Sequence, residues 1–299
     1  MLDVVIIGSG PAGITASIYA KRANLNVAVV AKEYLGTGQI AESSRVDNYP
    51  GIPGIDGYSL GEKFREHAES LGVEFTEAQV LSLGQKDGIW IIGCDEDITL
   101  ESKAVIYATG CKNRPLGVPG EEKYYGRGLS FCAVCDGAFY KGKRVAVIGG
   151  GDTALDDAMY LSDICEKVYL VHRREFFRGS ASTLEKLKQK ENVEIIVNAR
   201  VEEITGDKKI DGIILDNKTK LNISGLFAAV GMIPQTELLK EFGVLDESNY
   251  VKASEDTKTT VNGLFAAGDV RTKQLRQVVT AAADGANAIY SVMEYLRNI

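Results

Sequence analysis

The sequence predicts an α/β protein in which one doubly wound, parallel-sheet domain is interrupted by a second of the same kind. Three observations predict it. An apolar run, Val4-Val5-Ile6-Ile7, enters a glycine-rich turn and continues as a small-residue helical pattern. The same order recurs without a gap from Val145-Ala146-Val147-Ile148. Other short apolar runs end in glycine, as buried strands of parallel sheets do.

The first copy runs from its strand into Gly8-Ser9-Gly10-Pro11-Ala12-Gly13, then a helix through Tyr19 and a strand at Val27 to Val30. This strand-turn-helix-strand order is a βαβ start with the spacing of a dinucleotide fingerprint. Gly8 permits the tight turn, Gly10 lets a pyrophosphate approach the backbone, and Gly13 lets the helix pack close to the strand. The free N–H groups of the helix N-terminus then face the phosphates.

Next comes Ala104-Val105-Ile106-Tyr107-Ala108-Thr109-Gly110, a strand ending in a turn, and a proline-containing stretch from Arg114 to Pro119 that reads as a domain crossover. The segment Cys132-Ala133-Val134-Cys135-Asp136 follows, shortly before the second fingerprint. That copy places Gly149-Gly150-Gly151-Asp152-Thr153-Ala154 after its strand, then a helix through Leu161 and a strand at Val168 to Val171. Leu226 to Gly231 gives another strand before Pro234. Gly263-Leu264-Phe265-Ala266-Ala267-Gly268-Asp269 then leads through Arg276-Gln277 into an alanine-rich helix from about Val278 to Leu296. Two Rossmann-like dinucleotide-binding domains result, residues 1–113 with 243–299 and, inserted between them, 114–242.

The copies differ where a ribose would lie. The first ends its second strand in Ala31-Lys32-Glu33 and the second in His172-Arg173-Arg174, with Arg178 following. An acid there binds a ribose 2′-hydroxyl, whereas arginines favour a 2′-phosphate through bidentate, charge-assisted bonds. The second site is therefore expected to prefer NADPH to NADH.

At 299 residues the chain has length for two domains. A net charge of −7 argues against nucleic acid or an anionic membrane as the main partner. No apolar stretch approaches the roughly twenty residues that span a bilayer. Five cysteines with one close pair do not make a disulfide-stapled secreted scaffold. With no signal-peptide pattern at the start, the expected compartment is the cytoplasm. The Cys132, Cys135 pair lacks the second C-x-x-C or C-x-x-H that a structural zinc site needs, so no metal is expected. Cys94, Cys111 and Cys165 stand alone and receive no role. Thiol exchange calls for a nearby acid–base group, and Asp136 is the candidate.

These motifs closely resemble the low-molecular-weight thioredoxin reductases, and the resemblance covers essentially the whole chain. The family order is G-x-G-P-A-G, A-T-G, C-A-x-C-D, G-G-G-x-[ST]-A, H-R-R-x-x-x-R, G-x-x-P-x-T and G-[VL]-F-A-A-G-D followed by R-Q, and each is present. One departure is Gly36-Thr37-Gly38-Gln39, where many members have consecutive glycines before the glutamine.

The resemblance implies FAD at Gly8, Gly10, Pro11, Ala12 and Gly13, with Gln39, Asn48, Thr109, Gly110, Gly268, Asp269, Arg276 and Gln277 around it. It implies NADPH at Gly149, Gly151, Asp152, Thr153, Ala154, His172, Arg173, Arg174 and Arg178. Electrons would pass from NADPH to FAD, then to a Cys132–Cys135 disulfide, then to a thioredoxin or thioredoxin-like protein. Cys135 would face the flavin and Cys132 would attack the partner. A rotating inserted domain, with hinges near Lys112-Asn113-Arg114 and around Gly243, and a homodimer are further implications. A same-fold reductase for another disulfide protein, a ferredoxin-linked flavoprotein and a non-catalytic dithiol sensor remain as alternatives.

Overall fold

Strand β1, Leu2–Ile7, is buried from Val4 onward and lies between two parallel neighbours. In this computed structural model, which describes residues 1–32, 38–43 and 45–299, β1 feeds helix α1, Pro11–Arg22, and then β2, Val27–Ala31. Pro11 opens α1, where its missing N–H costs nothing. Helix α2, Gly57–Ser70, begins with Asp56 accepting the Ser59 N–H at 2.9 Å. Strands β3 (Glu74–Glu77), β4 (Val80–Lys86), β5 (Ile89–Cys94) and β6 (Thr99–Tyr107) follow. Glu33, the ribose candidate of the first copy, and Gly36-Thr37 lie outside the described residues.

After β7, Cys111–Asn113, the chain builds a second set of elements. Strand β8, Leu129–Ser130, precedes the one-turn helix α3, Ala133–Asp136. Then come β9 (Arg144–Gly149), α4 (Asp152–Ser162), β10 (Lys167–Val171), α5 (Ala181–Lys188) and β11 (Val193–Ile196). An antiparallel meander of β12 (Val201–Thr205), β13 (Gly212–Leu215) and β14 (Lys220–Asn222) is followed by β15, Gly225–Ala229. Strand β16, Met232–Pro234, pairs with β7, so the outgoing and returning chain cross side by side. Strand β17, Leu264–Ala266, and helix α6, Val278–Leu296, complete the chain.

The chain divides into two compact units, Met1–Lys112 with Ile233–Ile299, and Asn113–Met232. In the first, the sheet order is β3-β2-β1-β6-β5-β4, with β17 parallel to β6. Val4, Ile6, Val29 and Ile106 face α1 and α6 on one side of this sheet, and Val5, Ile7, Trp90 and Tyr107 pack on the other. A Cβ on Gly285 of α6 would stand 2.3 Å from the Ala12 carbonyl oxygen, which is how closely the two helix backbones approach. In the second unit the order is β11-β10-β9-β15-β8, with Val145 and Val147 against α4.

The return to the first unit was expected at residue 243, but it falls at 232/233. The segment between belongs to the first unit's core. Leu239 is fully buried there, Phe242 lies against Trp90 with ring centroids 5.6 Å apart, and Thr236 donates to the Asn249 carbonyl. Gly243 ends a 3-10 turn inside that unit at φ +69° rather than marking its edge.

Candidate functional site

In the first unit the site begins where β1 stops. Gly8 adopts φ +109°, and a Cβ there would sit 2.4 Å from the Ala108 carbonyl oxygen at the end of β6. Gly13 packs so tightly that its Cβ would lie 1.9 Å from the Gly8 oxygen. Gly10 caps α1 without any side-chain bond, leaving the first-turn N–H groups to an external anion.

Several of the distant residues come to this turn. A Cβ on Gly268 would lie 2.9 Å from the Ala12 Cβ, which places the Gly268-Asp269 pair beside the start of α1. Gly38, next to Gln39, approaches Gly10. Thr109 follows Ala108 and donates through Oγ1 to the Gln235 carbonyl at 2.7 Å, while Gly110 takes φ +68°. Arg276 lies over the Tyr250 ring at 4.2 Å and donates to the Asp269 carbonyl at 3.3 Å. Asn48 Nδ2 donates to Gln277 Oε1 at 2.8 Å at the N-cap of α6.

Asp269 Oδ1 is buried with no hydrogen-bond partner among the described residues. Burial pushes the Asp269 carboxyl up to about 6, although Lys273 and Arg276 pull it down. An uncapped helix N-terminus beside an unpaired carboxylate oxygen fits a dinucleotide, whose phosphates need donors and whose ribityl hydroxyls need an acceptor.

One network here carried no sequence signal. Asp284 of α6 is 2% exposed and accepts the Gly268 N–H, Arg271 Nε and Nη2, and Lys273 Nζ, all within 2.9 Å. Burial alone would raise Asp284, but the two cations hold it below the usual carboxylate range. This anchor fixes the Gly268-Asp269 turn against α6.

In the second unit, Gly149 to Gly151 ends β9, and Gly151 caps α4 with no side-chain bond. A Cβ on Gly151 would meet nothing within 4 Å, so a phosphate can approach there. Arg173, Arg174 and Arg178 are exposed, and none forms an ion pair among the described residues. Free guanidinium groups beside an open glycine turn fit a nucleotide that carries a 2′-phosphate.

His172 does not join the arginines at the surface. Its ring is buried against Gly150, where a Cβ would come within 2.2 Å, and it lies 4.8 Å from the Phe177 ring. Nε2 bonds the Phe176 carbonyl, and burial, with the three arginines, lowers its pKa. His172 thus shapes the arginine loop from below. The loop is tied down further by Arg178 and Gly179 donating to the Gly150 carbonyl and by Ser180 donating to Asp152 Oδ1. Asp152 therefore bonds protein backbone, while Thr153 and Ala154 sit exposed and buried on the first turn of α4.

Cys132 and Cys135 form a disulfide at the C-terminal end of β8. Cys132 caps α3, its Sγ accepting the Cys135 N–H at 3.2 Å. Asp136 closes that turn, and burial raises its carboxyl while a 2.6 Å bond from Ser130 Oγ opposes the rise. Ser130 escaped the sequence reading, since a serine two positions before a cysteine has no signature. Cys94, Cys111 and Cys165 are buried free thiols. Among the described residues no metal-ligating cluster occurs, and no helix is long and apolar enough to cross a membrane.

The pyridine nucleotide-disulphide oxidoreductase family model matches residues 2–285. Thioredoxin reductase of Helicobacter pylori (strain J99) is 40% identical over 310 residues, covering 100% of both chains. A 34.2 kDa protein in the rubredoxin operon of Clostridium pasteurianum is 39% identical, covering 99% of this chain and 97% of that one. The crystal structure of thioredoxin reductase from Streptococcus pyogenes MGAS5005 matches with a TM-score of 0.94 at 39% identity, over 100% of this chain and 99% of that one. Similarity that runs end to end in sequence and in structure places the chain in the pyridine nucleotide-disulphide oxidoreductase family, within its low-molecular-weight thioredoxin reductase group.

Proposed function

We propose that this chain uses NADPH to reduce the disulfide of a thioredoxin-type protein, through FAD and the Cys132–Cys135 pair. The observation that carries the reading is the pair itself, held as a disulfide in the unit that also bears the second glycine turn and the three free arginines. FAD, when bound, supplies the two-electron link between nicotinamide and disulfide.

The chain's own residues then have separable tasks. Gly8, Gly10, Pro11, Ala12 and Gly13 present the α1 N-terminus to the FAD pyrophosphate, and Asp269 accepts from its hydroxyls. Asn48, Gln277, Gln39, Thr109, Gly110, Gly268 and Arg276 frame the same cradle. Gly149, Gly151 and the first turn of α4 take the NADPH pyrophosphate, and Arg173, Arg174 and Arg178 take the 2′-phosphate. Cys132 attacks the partner disulfide as thiolate, Cys135 closes the ring again, and Asp136 holds and returns the proton. A ferredoxin-fed enzyme would have no use for the arginine loop, and a sensor would not turn over.

We place the enzyme in the cytoplasm, since three buried free thiols in a chain that also carries a redox-cycling disulfide suit a reducing compartment. We also read it as a homodimer, supported by Tyr19, Val279 and Tyr290 exposed on the first unit; equilibrium sedimentation tests this. For the activity, NADPH is added anaerobically to purified flavoprotein, followed by oxidised thioredoxin. Bleaching of the flavin by NADPH far more than by NADH, and its recovery on adding thioredoxin in wild type but not in Cys132→Ser, is the expected result. No bleaching by either nucleotide sinks the reading.

A further inference from the structure

The hydroxyl of Ser130 touches both the acid and the cysteine backbone of this turn. Its Oγ donates to Asp136 Oδ2 at 2.6 Å, accepts the Cys132 N–H at 3.1 Å, and lies 3.4 Å from the Cys132 carbonyl oxygen. Ser130 is the last residue of β8, in register with Phe227 of β15, and is 6% exposed. Its position is therefore set by the sheet, and bulk water does not compete for its one hydrogen.

A hydroxyl has one proton and two lone pairs. The short bond to Asp136 takes that proton while the carboxyl is ionised, leaving the longer contact to the Cys132 carbonyl unfilled. When Asp136 is protonated, its own O–H turns towards Ser130. Ser130 then accepts from both Asp136 and the Cys132 N–H, and its hydrogen is free to turn to the Cys132 carbonyl.

We propose that Ser130 is a positioning residue that couples the protonation of Asp136 to the backbone of Cys132, so that each proton passed by the acid rewires the turn carrying the attacking sulfur. The proposal rests on the disulfide-reductase reading above. In that reaction NADPH and one proton convert the Cys132–Cys135 disulfide into two thiols and NADP⁺. The hydride of NADPH brings both electrons and one proton. The second proton leaves the Asp136 carboxyl for a departing thiolate, and the carboxylate is reprotonated from water.

The surroundings of Asp136 leave Ser130 in control. Burial and the Ser130 bond are the two influences on its carboxyl. Among titratable neighbours, Tyr140 of the following turn senses the Asp136 charge. The adjacent helix α4 carries further acids, Asp152, Asp156 and Asp157, with Asp163 just past its end, and none of them is among those influences.

The experiment compares wild type with Ser130→Ala and Ser130→Thr. The Asp136 carboxyl is titrated in the oxidised holoenzyme by infrared difference spectroscopy, its band assigned with Asp136→Asn. In parallel, NADPH-driven thioredoxin reduction is followed from about pH 5.5 to 9. Loss of a hydrogen bond to the charged form is expected to raise the Asp136 midpoint by about one pH unit in Ser130→Ala. The acid-linked limb of the rate profile moves with it, and Ser130→Thr restores both. An unchanged midpoint with rates lowered equally at every pH overturns the proposal, because a purely structural serine would give that pattern. Should Ser130→Ala not fold, Ser130→Cys, with a weaker donor of similar size, must shift the midpoint in the same direction, and no shift overturns it. A wild-type enzyme that fails to reduce thioredoxin defeats the functional reading instead, while the infrared comparison still decides Ser130.

Discussion

Asn48 and Gln277 meet side chain to side chain at 2.8 Å, joining the loop after the first βαβ unit to the N-cap of the last helix. Gln277 also accepts an N–H from the first turn of α6, while Thr280 Oγ1 accepts the Gln277 N–H at 3.1 Å. Replacing Asn48 by Ala removes a donor from this cap. We expect about 1 kcal/mol of lost stability, as for other capping losses, and about a tenfold weaker hold on FAD. Titration of FAD into the apoprotein, read by flavin fluorescence quenching, checks the second figure.

The three free arginines make nucleotide choice testable. Arg173→Ala and Arg174→Ala should each raise the KM for NADPH by about ten- to thirtyfold, corresponding to about 1.4–2 kcal/mol of lost charge-assisted bonding. The KM for NADH should stay nearly constant, because NADH lacks the phosphate we propose they hold. Equal losses with both nucleotides would remove the loop from the 2′-phosphate.

Asp284 predicts an acid-sensitive first unit. Its carboxyl is held below its unfolded value by Arg271 and Lys273. The stabilisation is therefore present above the unfolded pKa and disappears as pH falls through the depressed folded value. Asp284→Asn leaves two cations buried against an uncharged group and should cost about 3–5 kcal/mol. Urea unfolding at neutral pH should show that loss, and the difference from wild type should shrink in acid.

Asp157 on α4 predicts the opposite slope. Burial, with Asp156 alongside, pushes it up to about 7. A folded carboxyl with a raised pKa binds more protons than the unfolded chain between about pH 4 and 7, so stability falls as pH rises through that window. Asp157→Asn should stabilise the protein by on the order of 2 kcal/mol at pH 8 and hardly at all at pH 4. Thermal melts at the two pH values separate these outcomes.

The glycine turns were legible because only glycine tolerates the contacts that the structure shows at Gly8 and Gly13. The strands were legible because fully buried parallel strands are continuous apolar runs. Burial of a polar side chain leaves no such trace. His172 reads as a third cation beside Arg173 and Arg174, yet its ring lies under the loop. The return crossing was misplaced for a related reason. Gly243 looks like a boundary locally, whereas the burial of Leu239 and Phe242 against the first sheet depends on Trp90, far away in sequence. Asp284 and Ser130 likewise acquire meaning only from partners that folding delivers.

The packing of Gly150 on His172, and of Gly179 on the backbone of Gly151 and Asp152, leaves no room for a β-carbon at either glycine. Attempts to re-engineer coenzyme choice by exchanging the arginines alone would keep a loop whose shape is dictated from beneath. Residues 172–180 and the glycine turn behave as one inheritable cassette, and a graft that converts this enzyme to NADH must carry both halves together.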